Sequence, residues 1–253
     1  MWRTALVTGA SSGLGEGFAR ELAARGCGLV LVARRAELLK DLAAEVGDQH
    51  GVSAEVLPAD LTDPHQLRAV AERLADPARP VDLLVNSAGM GTHHGFTDEP
   101  AGVEEETIRL NVLAVTRLCH AALTGMRERR HGTVVNVSSF AGLLPAFASS
   151  STYGASKAFV YSLSEGLAIE ASRYGVTVTV VCPGYVHTDR TAATSGVPSF
   201  AWTSRDAVVR ETLRAAAAGR ALVIPGPFYK TANVLLRSLP RAVTRVAARR
   251  APG

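Results

Sequence analysis

A tyrosine and a lysine stand four positions apart in the segment STYGASKAF, at Tyr153 and Lys157. Four residues are about one helical turn, so the two side chains would share one face of a helix. A free tyrosine has a pKa of about 10, and only about one phenol in a thousand is ionised near neutral pH. An ammonium about 4 Å away, at an effective dielectric of about 20, favours the phenolate by up to about 4 kcal/mol. The pair is therefore a candidate for proton transfer, although its spacing is also that of an incidental surface pair.

A glycine-rich segment, VTGASSGLGEG, follows the first strand-like run and has a T-G-x3-G-x-G pattern. Glycines at such a turn permit positive φ and let the backbone approach a pyrophosphate. The helix that begins there directs free amides and its dipole at an anion. The turn is thus predicted to bind phosphate, unless it is an ordinary tight strand–helix turn, and its candidate residues are Thr8, Gly9, Ser11, Ser12, Gly13, Leu14 and Gly15.

Strand-like apolar runs alternate with helix-like stretches along the chain. The runs rich in Val and Leu are nearly continuous, which indicates strands buried on both faces of a parallel sheet. We predict an α/β fold: a single Rossmann-like, doubly wound parallel sheet of about seven strands with helices on both faces, in one domain over 1–253. Strands are predicted at 4–9, 28–33, 53–59, 81–88, 132–139, 176–184 and 221–226, and helices at 13–25, 36–46, 64–75, 104–129 and around Tyr153.

Composition limits the class of protein. The 253 residues are 47% hydrophobic, and no apolar run reaches the roughly 18 residues that a membrane span needs. The N-terminus enters a strand-like run almost at once and leaves no room for a signal peptide, so a cytoplasmic location is expected. Cys27, Cys119 and Cys182 are odd in number, far apart and set in apolar segments. They are predicted to be buried thiols and not a disulfide framework or a zinc site.

The basic charge is concentrated at the C-terminus. From Phe228 onward there are six basic residues and no acidic one, whereas the rest of the chain is slightly acidic, so nucleic-acid binding is not expected. Arginines recur every four residues in the segment 228–253, among valines and leucines, at Arg237, Arg241, Arg245 and Arg249. Such a segment can lie on an anionic membrane. Pro240 interrupts the helix, which favours docking on the protein's own core or on another subunit.

The glycine turn together with the Y-x3-K pair resembles the short-chain dehydrogenase/reductase family. Further matches occur in the family's order: NSAG at 86–89, Asn111 in LNVLAV, NVSS at 136–139 and CPGYVHT at 182–188. The resemblance covers about residues 4–190. It implies an oxidoreductase that transfers hydride between a nicotinamide cofactor and a small-molecule carbonyl or alcohol, and that assembles as a homodimer or homotetramer.

The resemblance also implies the catalytic roles. Tyr153 would be the proton donor or acceptor, and Lys157 would favour its ionised form and bind the nicotinamide ribose. Ser139, the second serine of its pair, would orient the carbonyl oxygen at the carboxyl edge of the sheet. Asn111 would anchor a water that links Lys157 to solvent, although a buried asparagine can also simply satisfy backbone groups.

The cofactor implied is NADP(H). The second strand ends in LVARR, with Ala33 where NAD-binding members tend to have an acid. Arg34 can form charge-assisted hydrogen bonds to a 2′-phosphate, unless it and Arg35 are only solvated at the start of a helix. Ser87 replaces an asparagine that the family often has. The other cofactor-binding residues implied are Asp60 and Leu61 at the adenine, Asn86, Ala88 and Gly89 along the ribose and backbone, and Val186 and Thr188 at the nicotinamide carboxamide. Pro183 and Gly184 are candidates as well, unless they form an ordinary turn.

The substrate side is less defined by sequence. The segment 189–204 lies where the family builds a variable substrate lid, and Tyr185, Phe200 and Trp202 favour a hydrophobic carbonyl compound unless they pack against the core. His93 and His94 are expected to rim the site without binding metal, and His187 to be a loop residue. Two other functions remain: a catalytically silent NADP(H)-binding regulator, which the complete catalytic set argues against, and a membrane-associated protein acting through its tail.

Overall fold

Strands and helices alternate along most of the chain in the computed structural model, which describes residues 2–91, 95–98, 100–144, 150–188, 191, 194 and 196–238. The strands are β1 (Thr4–Thr8), β2 (Gly28–Ala33), β3 (Ala54–Pro58), β4 (Leu83–Asn86), β5 (Gly132–Val137), β6 (Val176–Val181), β7 (Tyr185–His187), β8 (Trp202–Ser204) and β9 (Leu222–Val223). The α-helices are α1 (Gly13–Ala24), α2 (Ala36–His50), α3 (Pro64–Ala75), α4 (Ala101–Ile108), α5 (Val115–Arg129), α6 (Ser151–Ser172), α7 (Arg205–Ala217) and α8 (Pro227–Ser238).

Seven strands form one sheet in the order β3-β2-β1-β4-β5-β6-β9. Every neighbouring pair in this sheet is parallel. The chain builds outward from β1 to β3 and then returns to place β4 on the other side of β1, so the strand order reverses at the β1–β4 boundary. The doubly wound α/β fold is confirmed, and a ligand crevice is expected outside the carboxyl ends of these two strands.

Burial on both faces explains the continuous apolar runs. In β1, Ala5 and Val7 pack into one core cluster while Leu6 packs into the cluster on the opposite face of the sheet. Leu29 and Val30 of β2 divide between the same two clusters. Successive side chains of a strand point to opposite faces, so a strand covered by helices on both sides requires an apolar residue at nearly every position.

Two predicted regions differ in detail. The stretch predicted as one helix over 104–129 begins earlier and contains a π-helical segment, Arg109–Ala114, between α4 and α5. π-Helical turns are often found at functional sites, and Asn111 lies within this one. The short strands β7 and β8 were not predicted; they pair in a separate parallel two-stranded sheet. His187 therefore lies in a strand and not in a loop.

The three cysteines are buried, as predicted, with side chains no more than 2% exposed. Burial raises the pKa of the Cys27 and Cys119 thiols to about 12 in each case, so both stay protonated near neutral pH. Among the helices of the described residues, none is both long and apolar enough to span a bilayer.

A buried polar network joins the centre of the sheet to α6. The Asn86 side-chain amide donates to Oδ1 of Asn136 at 2.9 Å, and Nδ2 of Asn136 donates to the Ser164 hydroxyl at 2.9 Å. Cys119 Sγ lies 3.4 Å from both asparagines. Because these groups are withdrawn from water, each depends on its protein partners.

We expect Asn136→Ala to lower the free energy of unfolding by about 1–3 kcal/mol, because it leaves buried partners unsatisfied. Urea unfolding followed by circular dichroism measures the change. Gln49→Ala is the matched control: its amide bonds Glu45 at 3.3 Å on an exposed helix face, and its effect should stay within about 0.5 kcal/mol. An equal effect of the two substitutions would contradict the structural role of the network.

Candidate active site

In the glycine turn between β1 and α1, neither Gly9 nor Gly15 has space for a side chain. Gly9 has φ +68° and Gly13 has φ +57°, a region that favours glycine. A Cβ on Gly9 would lie 2.9 Å from the Ala88 backbone, and one on Gly15 would collide with the Gly9 carbonyl. The turn therefore presents bare backbone next to the N-terminus of α1, a cradle that fits a pyrophosphate group.

Thr8 holds this turn against the loop that follows β4. Its hydroxyl oxygen accepts the amides of Ser87 and Ala88, each at 3.0 Å. On the far side of the turn, a Cβ on Gly13 would lie 3.7 Å from the methyl carbon of Thr188. The glycine turn, the loop after β4 and the loop that contains Thr188, which are far apart in the sequence, therefore border one crevice.

Arg34 and Arg35 make different contacts at the start of α2. The Arg34 side chain is 71% exposed and its guanidinium lies 3.9 Å from the Asp60 carboxylate. Arg35 donates to the Ser11 hydroxyl at 3.0 Å and to its carbonyl at 3.1 Å. Partial burial opposes ionisation of Asp60, but hydrogen bonds from Thr62 and the charge of Arg34 hold its pKa below its usual value. Asp60 is therefore ionised near neutral pH, and Arg34 can turn toward a further anion.

Tyr153 and Lys157 share a face of α6, as their spacing predicts. Lys157 Nζ lies 5.7 Å from the centroid of the Tyr153 ring. The Lys157 side chain is buried, and its ammonium donates to the Val137 carbonyl at the end of β5 at 3.0 Å. A Cβ on Gly91 would lie 3.4 Å from the Tyr153 ring. The pair thus faces the loop after β4, at the carboxyl edge of the sheet.

Asn111 anchors that loop from the π-helical segment. Its side chain accepts from the Met90 amide at 3.0 Å and donates to the Met90 carbonyl at 2.8 Å and to the Ser156 hydroxyl at 2.9 Å. A Cβ on Gly89 would lie 3.2 Å from Asn111 Oδ1 and 3.3 Å from Lys157 Nζ. Asn111 and Lys157 therefore both lie next to the backbone of Gly89, and the Asn111 side chain also satisfies the backbone groups of Met90.

The two serines after β5 differ in exposure and in partners. Ser138 is buried, and its hydroxyl donates to the Lys157 carbonyl at 2.7 Å. Ser139 is partly exposed, and its oxygen accepts the Ala141 amide at 3.1 Å. That bond uses an acceptor position of Ser139 and leaves its O–H as a donor. Of the pair, only Ser139 is partly exposed, at the carboxyl end of β5.

Some predicted cofactor residues are turned away from the crevice. The Asn86 side chain is buried in the network with Asn136, and the side chains of Leu61 and Val186 are each 5% exposed. Pro183 is also buried, whereas Thr188 is partly exposed. Any contact of Asn86 or Val186 with a cofactor would therefore use backbone atoms. His93, His94 and Asp189 lie outside the described residues.

The aromatic residues of the predicted lid form two pairs. Tyr185 and Trp202, from β7 and β8, lie with ring centroids 5.5 Å apart, and His187 stacks on Trp202 at 4.6 Å. Phe200 instead contacts Phe228 of α8 at 5.1 Å. The two-stranded sheet therefore presents an aromatic surface beside the loop that contains Thr188.

Tyr229 of α8 supports this sheet and was not found from the sequence. Its hydroxyl accepts the Tyr185 amide at 3.0 Å and donates to the Ala201 carbonyl at 2.8 Å. Its ring lies 4.9 Å from that of Phe140, the residue after Ser139, and fills the space that a Cβ on Gly184 would occupy. Burial raises the pKa of Tyr229, which keeps its hydroxyl neutral. The only signal in the sequence is the glycine at 184, which leaves space for a ring.

The glycine turn and the Tyr153–Lys157 pair thus border one edge of a doubly wound parallel sheet. The family model for short chain dehydrogenases matches residues 3–196. The chain therefore belongs to the short-chain dehydrogenase/reductase family and is a nicotinamide-dependent oxidoreductase.

Three similar proteins illustrate the relationship. A short-chain dehydrogenase from Sphingobium yanoikuyae, solved in complex with NADPH, aligns with a TM-score of 0.83 and 37% identity, covering 94% of this chain and 97% of that one. The bulky-bulky ketone specific alcohol dehydrogenase from Comamonas testosteroni aligns with a TM-score of 0.80 and 30% identity, covering 95% and 96%. Oxidoreductase UcpA of Salmonella typhimurium is 36% identical over 186 residues, which are 74% of this chain and 70% of UcpA.

We expect Tyr229→Phe to lower the free energy of unfolding by about 1–3 kcal/mol, because it leaves the Tyr185 amide and the Ala201 carbonyl unpaired. Chemical denaturation measures the loss. The control is Tyr174→Phe, which keeps the ring 4.7 Å from the Arg127 guanidinium and should change stability by less than about 0.5 kcal/mol. A Tyr229→Phe variant as stable as this control would show that the two hydrogen bonds do not hold β7 and β8.

Proposed function

We propose that the protein is an NADP(H)-dependent carbonyl reductase or alcohol dehydrogenase whose proton donor and acceptor is Tyr153. The observation that carries the proposal is the placement of Tyr153 and Lys157 on one face of α6, against the loop after β4 on which the glycine turn also packs. The proposal treats 1–253 as one catalytic domain, and the dimeric or tetrameric state remains a prediction.

The glycine turn and Arg34 fit the dinucleotide, and a bound nicotinamide supplies hydride in reduction and accepts it in oxidation. In reduction, the Tyr153 phenol gives its proton to the oxygen of the substrate carbonyl, which becomes an alcohol. The ammonium of Lys157, on the same face of α6, stabilises the phenolate that remains. In alcohol oxidation the phenolate takes the proton back.

Lys157 is well suited to this role because its ammonium is held in place. The buried charge requires hydrogen-bonding partners, and the Val137 carbonyl is one of them at 3.0 Å. Asn111 lies, like Lys157, next to the backbone of Gly89. We propose that it anchors a water that carries protons between Lys157 and solvent. Ser139 is proposed to donate its hydroxyl to the substrate oxygen and so to orient the carbonyl toward Tyr153.

The preference for NADP(H) rests on Arg34. Its guanidinium is 71% exposed and near only one carboxylate, Asp60, among the ion pairs of the described residues. A 2′-phosphate would offer it a stronger charge-assisted bond than this 3.9 Å contact. The related Sphingobium yanoikuyae structure, a complex with NADPH, supports the same preference.

The substrate is proposed to be a hydrophobic ketone or aldehyde. Tyr185 and Trp202 contact each other through their rings, and Tyr185 is 40% exposed. Aromatic surfaces beside a reacting site favour apolar ligands. The relative from Comamonas testosteroni is named as specific for bulky-bulky ketones, which supports this substrate class.

We expect Tyr153→Phe to abolish turnover, a loss of at least about 100-fold, while the dissociation constant for NADPH stays within a few-fold. NADPH oxidation with a panel of hydrophobic ketones and fluorescence titration measure the two quantities. Tyr161→Phe, on the same helix, is the control and should retain activity. Full activity of Tyr153→Phe would refute the proposal, and a wild-type protein that binds NADPH without turning over any carbonyl or alcohol would favour the regulator.

We expect Arg34→Ala to weaken NADPH binding about 10–100-fold and to leave NADH binding nearly unchanged, because only NADPH carries the 2′-phosphate. Titration of both cofactors gives the ratio of dissociation constants. Lys40→Ala, on the helix that follows Arg34 and paired with Glu37 at 2.9 Å, should leave that ratio unchanged. An equal loss for NADPH and NADH in Arg34→Ala would remove the phosphate role.

A further inference from the structure

The outward side of α8 exposes large apolar side chains. Phe228 is 42% exposed, Val234 64% and Leu235 60%. Phe228 and Leu235 are seven residues apart and so share one face of the helix. Phe200, itself 65% exposed, extends this face through its ring contact with Phe228. Together these four residues form an exposed apolar surface, which we call the α8 surface.

The inward side of the same helix is firmly held. Tyr229 is 5% exposed and bonds two backbone groups of the β7–β8 region. Val234 and Leu235 therefore lie away from the face that the helix uses to dock on its own core, whereas Phe228 borders that face through its ring contact with Tyr229. Exposed apolar patches of this kind mark sites of interaction.

The charged residues in the part of the sequence that contains α8 are all basic. From Thr212 to Gly253 the sequence contains no acidic residue, and its eight basic residues are Arg214, Arg220, Lys230, Arg237, Arg241, Arg245, Arg249 and Arg250. Lys230 pairs at 2.6 Å with Glu211, which is the last acidic residue of the chain. A partner for this region must therefore accept apolar contact and carry negative charge.

We propose that the α8 surface docks on an anionic lipid surface together with the basic sequence at 239–253, which lies outside the described residues. Apolar side chains enter the interface between headgroups and acyl chains while arginines bind the negative headgroups. Docking of α8 on its own core through Tyr229 and contact with a membrane through Val234 and Leu235 are thus compatible, because these side chains lie on different sides of the helix.

This docking would place the substrate entrance at the bilayer, a consequence that rests on the proposed function. Two ring contacts connect the α8 surface to the residue after Ser139: Phe140 to Tyr229 at 4.9 Å and Tyr229 to Phe228 at 5.1 Å. A hydrophobic carbonyl compound dissolved in the lipid would then reach the site without crossing bulk water.

Vesicle flotation of the full chain, without substrate or cofactor, tests the docking. We expect the protein to float with vesicles of phosphatidylcholine and phosphatidylglycerol and to stay behind with phosphatidylcholine alone. Raising the ionic strength from about 0.05 to about 0.5 M should release most of it, because salt screens exposed charges. Equal binding to both kinds of vesicle, or binding to neither, would overturn the proposal.

Two double variants locate the contact. Val234→Ser with Leu235→Ser should weaken vesicle binding at least about 10-fold, because it removes buried apolar area from the interface. The control, Leu113→Ser with Ile169→Ser, removes apolar side chains that are 55% and 68% exposed elsewhere and should bind as the wild type does. Circular dichroism verifies that both variants fold. Equal binding by the two variants would overturn the assignment to α8.

A second copy of the chain is the competing occupant, and sedimentation distinguishes it. If Val234→Ser with Leu235→Ser lowered the oligomeric mass and the wild type did not bind vesicles, the surface would be a subunit interface and the proposal would be wrong. Turnover of a water-soluble ketone should be unchanged in this variant. Lipid docking and catalysis can therefore fail independently in these measurements.

Discussion

The site depends on the hydrogen bonding of the buried Lys157 ammonium. A charge withdrawn from water needs partners, and this one donates to the Val137 carbonyl at 3.0 Å, where β5 ends. The Ser138 hydroxyl donates a hydrogen bond of 2.7 Å to the Lys157 carbonyl. Gly142 packs so closely on the Lys157 backbone that a Cβ on Gly142 would lie 2.6 Å from the Lys157 carbonyl carbon. Helix α6 is thereby held against the carboxyl edge of the sheet, and the Tyr153 ring takes its position from it.

The crevice that faces this pair is assembled by backbone contacts from distant parts of the chain. Thr8 joins the end of β1 to the loop after β4, and Asn111 holds the same loop from the opposite side through Met90. Glycines line the crevice because a side chain there would collide with neighbouring backbone, as at Gly9, or crowd Asn111 and Lys157, as at Gly89. A rigid edge with little side-chain bulk suits a family whose cofactor supplies the hydride chemistry and whose protein supplies positions and proton transfer.

Helix α8 connects this site to the basic end of the chain. Tyr229 is buried beneath β7 and β8 and contacts Phe140, whereas Val234 and Leu235 of the same helix are exposed. The helix therefore serves two surfaces: one supports the aromatic residues proposed to contact the substrate, and the other is available to a partner. Under the proposed lipid contact, α8 would both support the substrate-binding residues and attach the protein to the lipid surface.

The sequence by itself determined the features that depend on local pattern. Strand β2 and helix α3 were predicted to the residue, the parallel seven-stranded sheet follows from alternating strands and helices, and the motifs at Thr8, Tyr153 and Lys157 identified the family. The order of the strands in that sheet comes from the structure. Tertiary structure alone decided the π-helical segment around Asn111, the pairing of Tyr185 with Trp202, the inward turn of the Asn86 side chain and the position of Tyr229. Each of the last three rests on a contact between residues 17 or more positions apart, and residues so distant in the chain leave no periodic pattern from which the contact can be predicted.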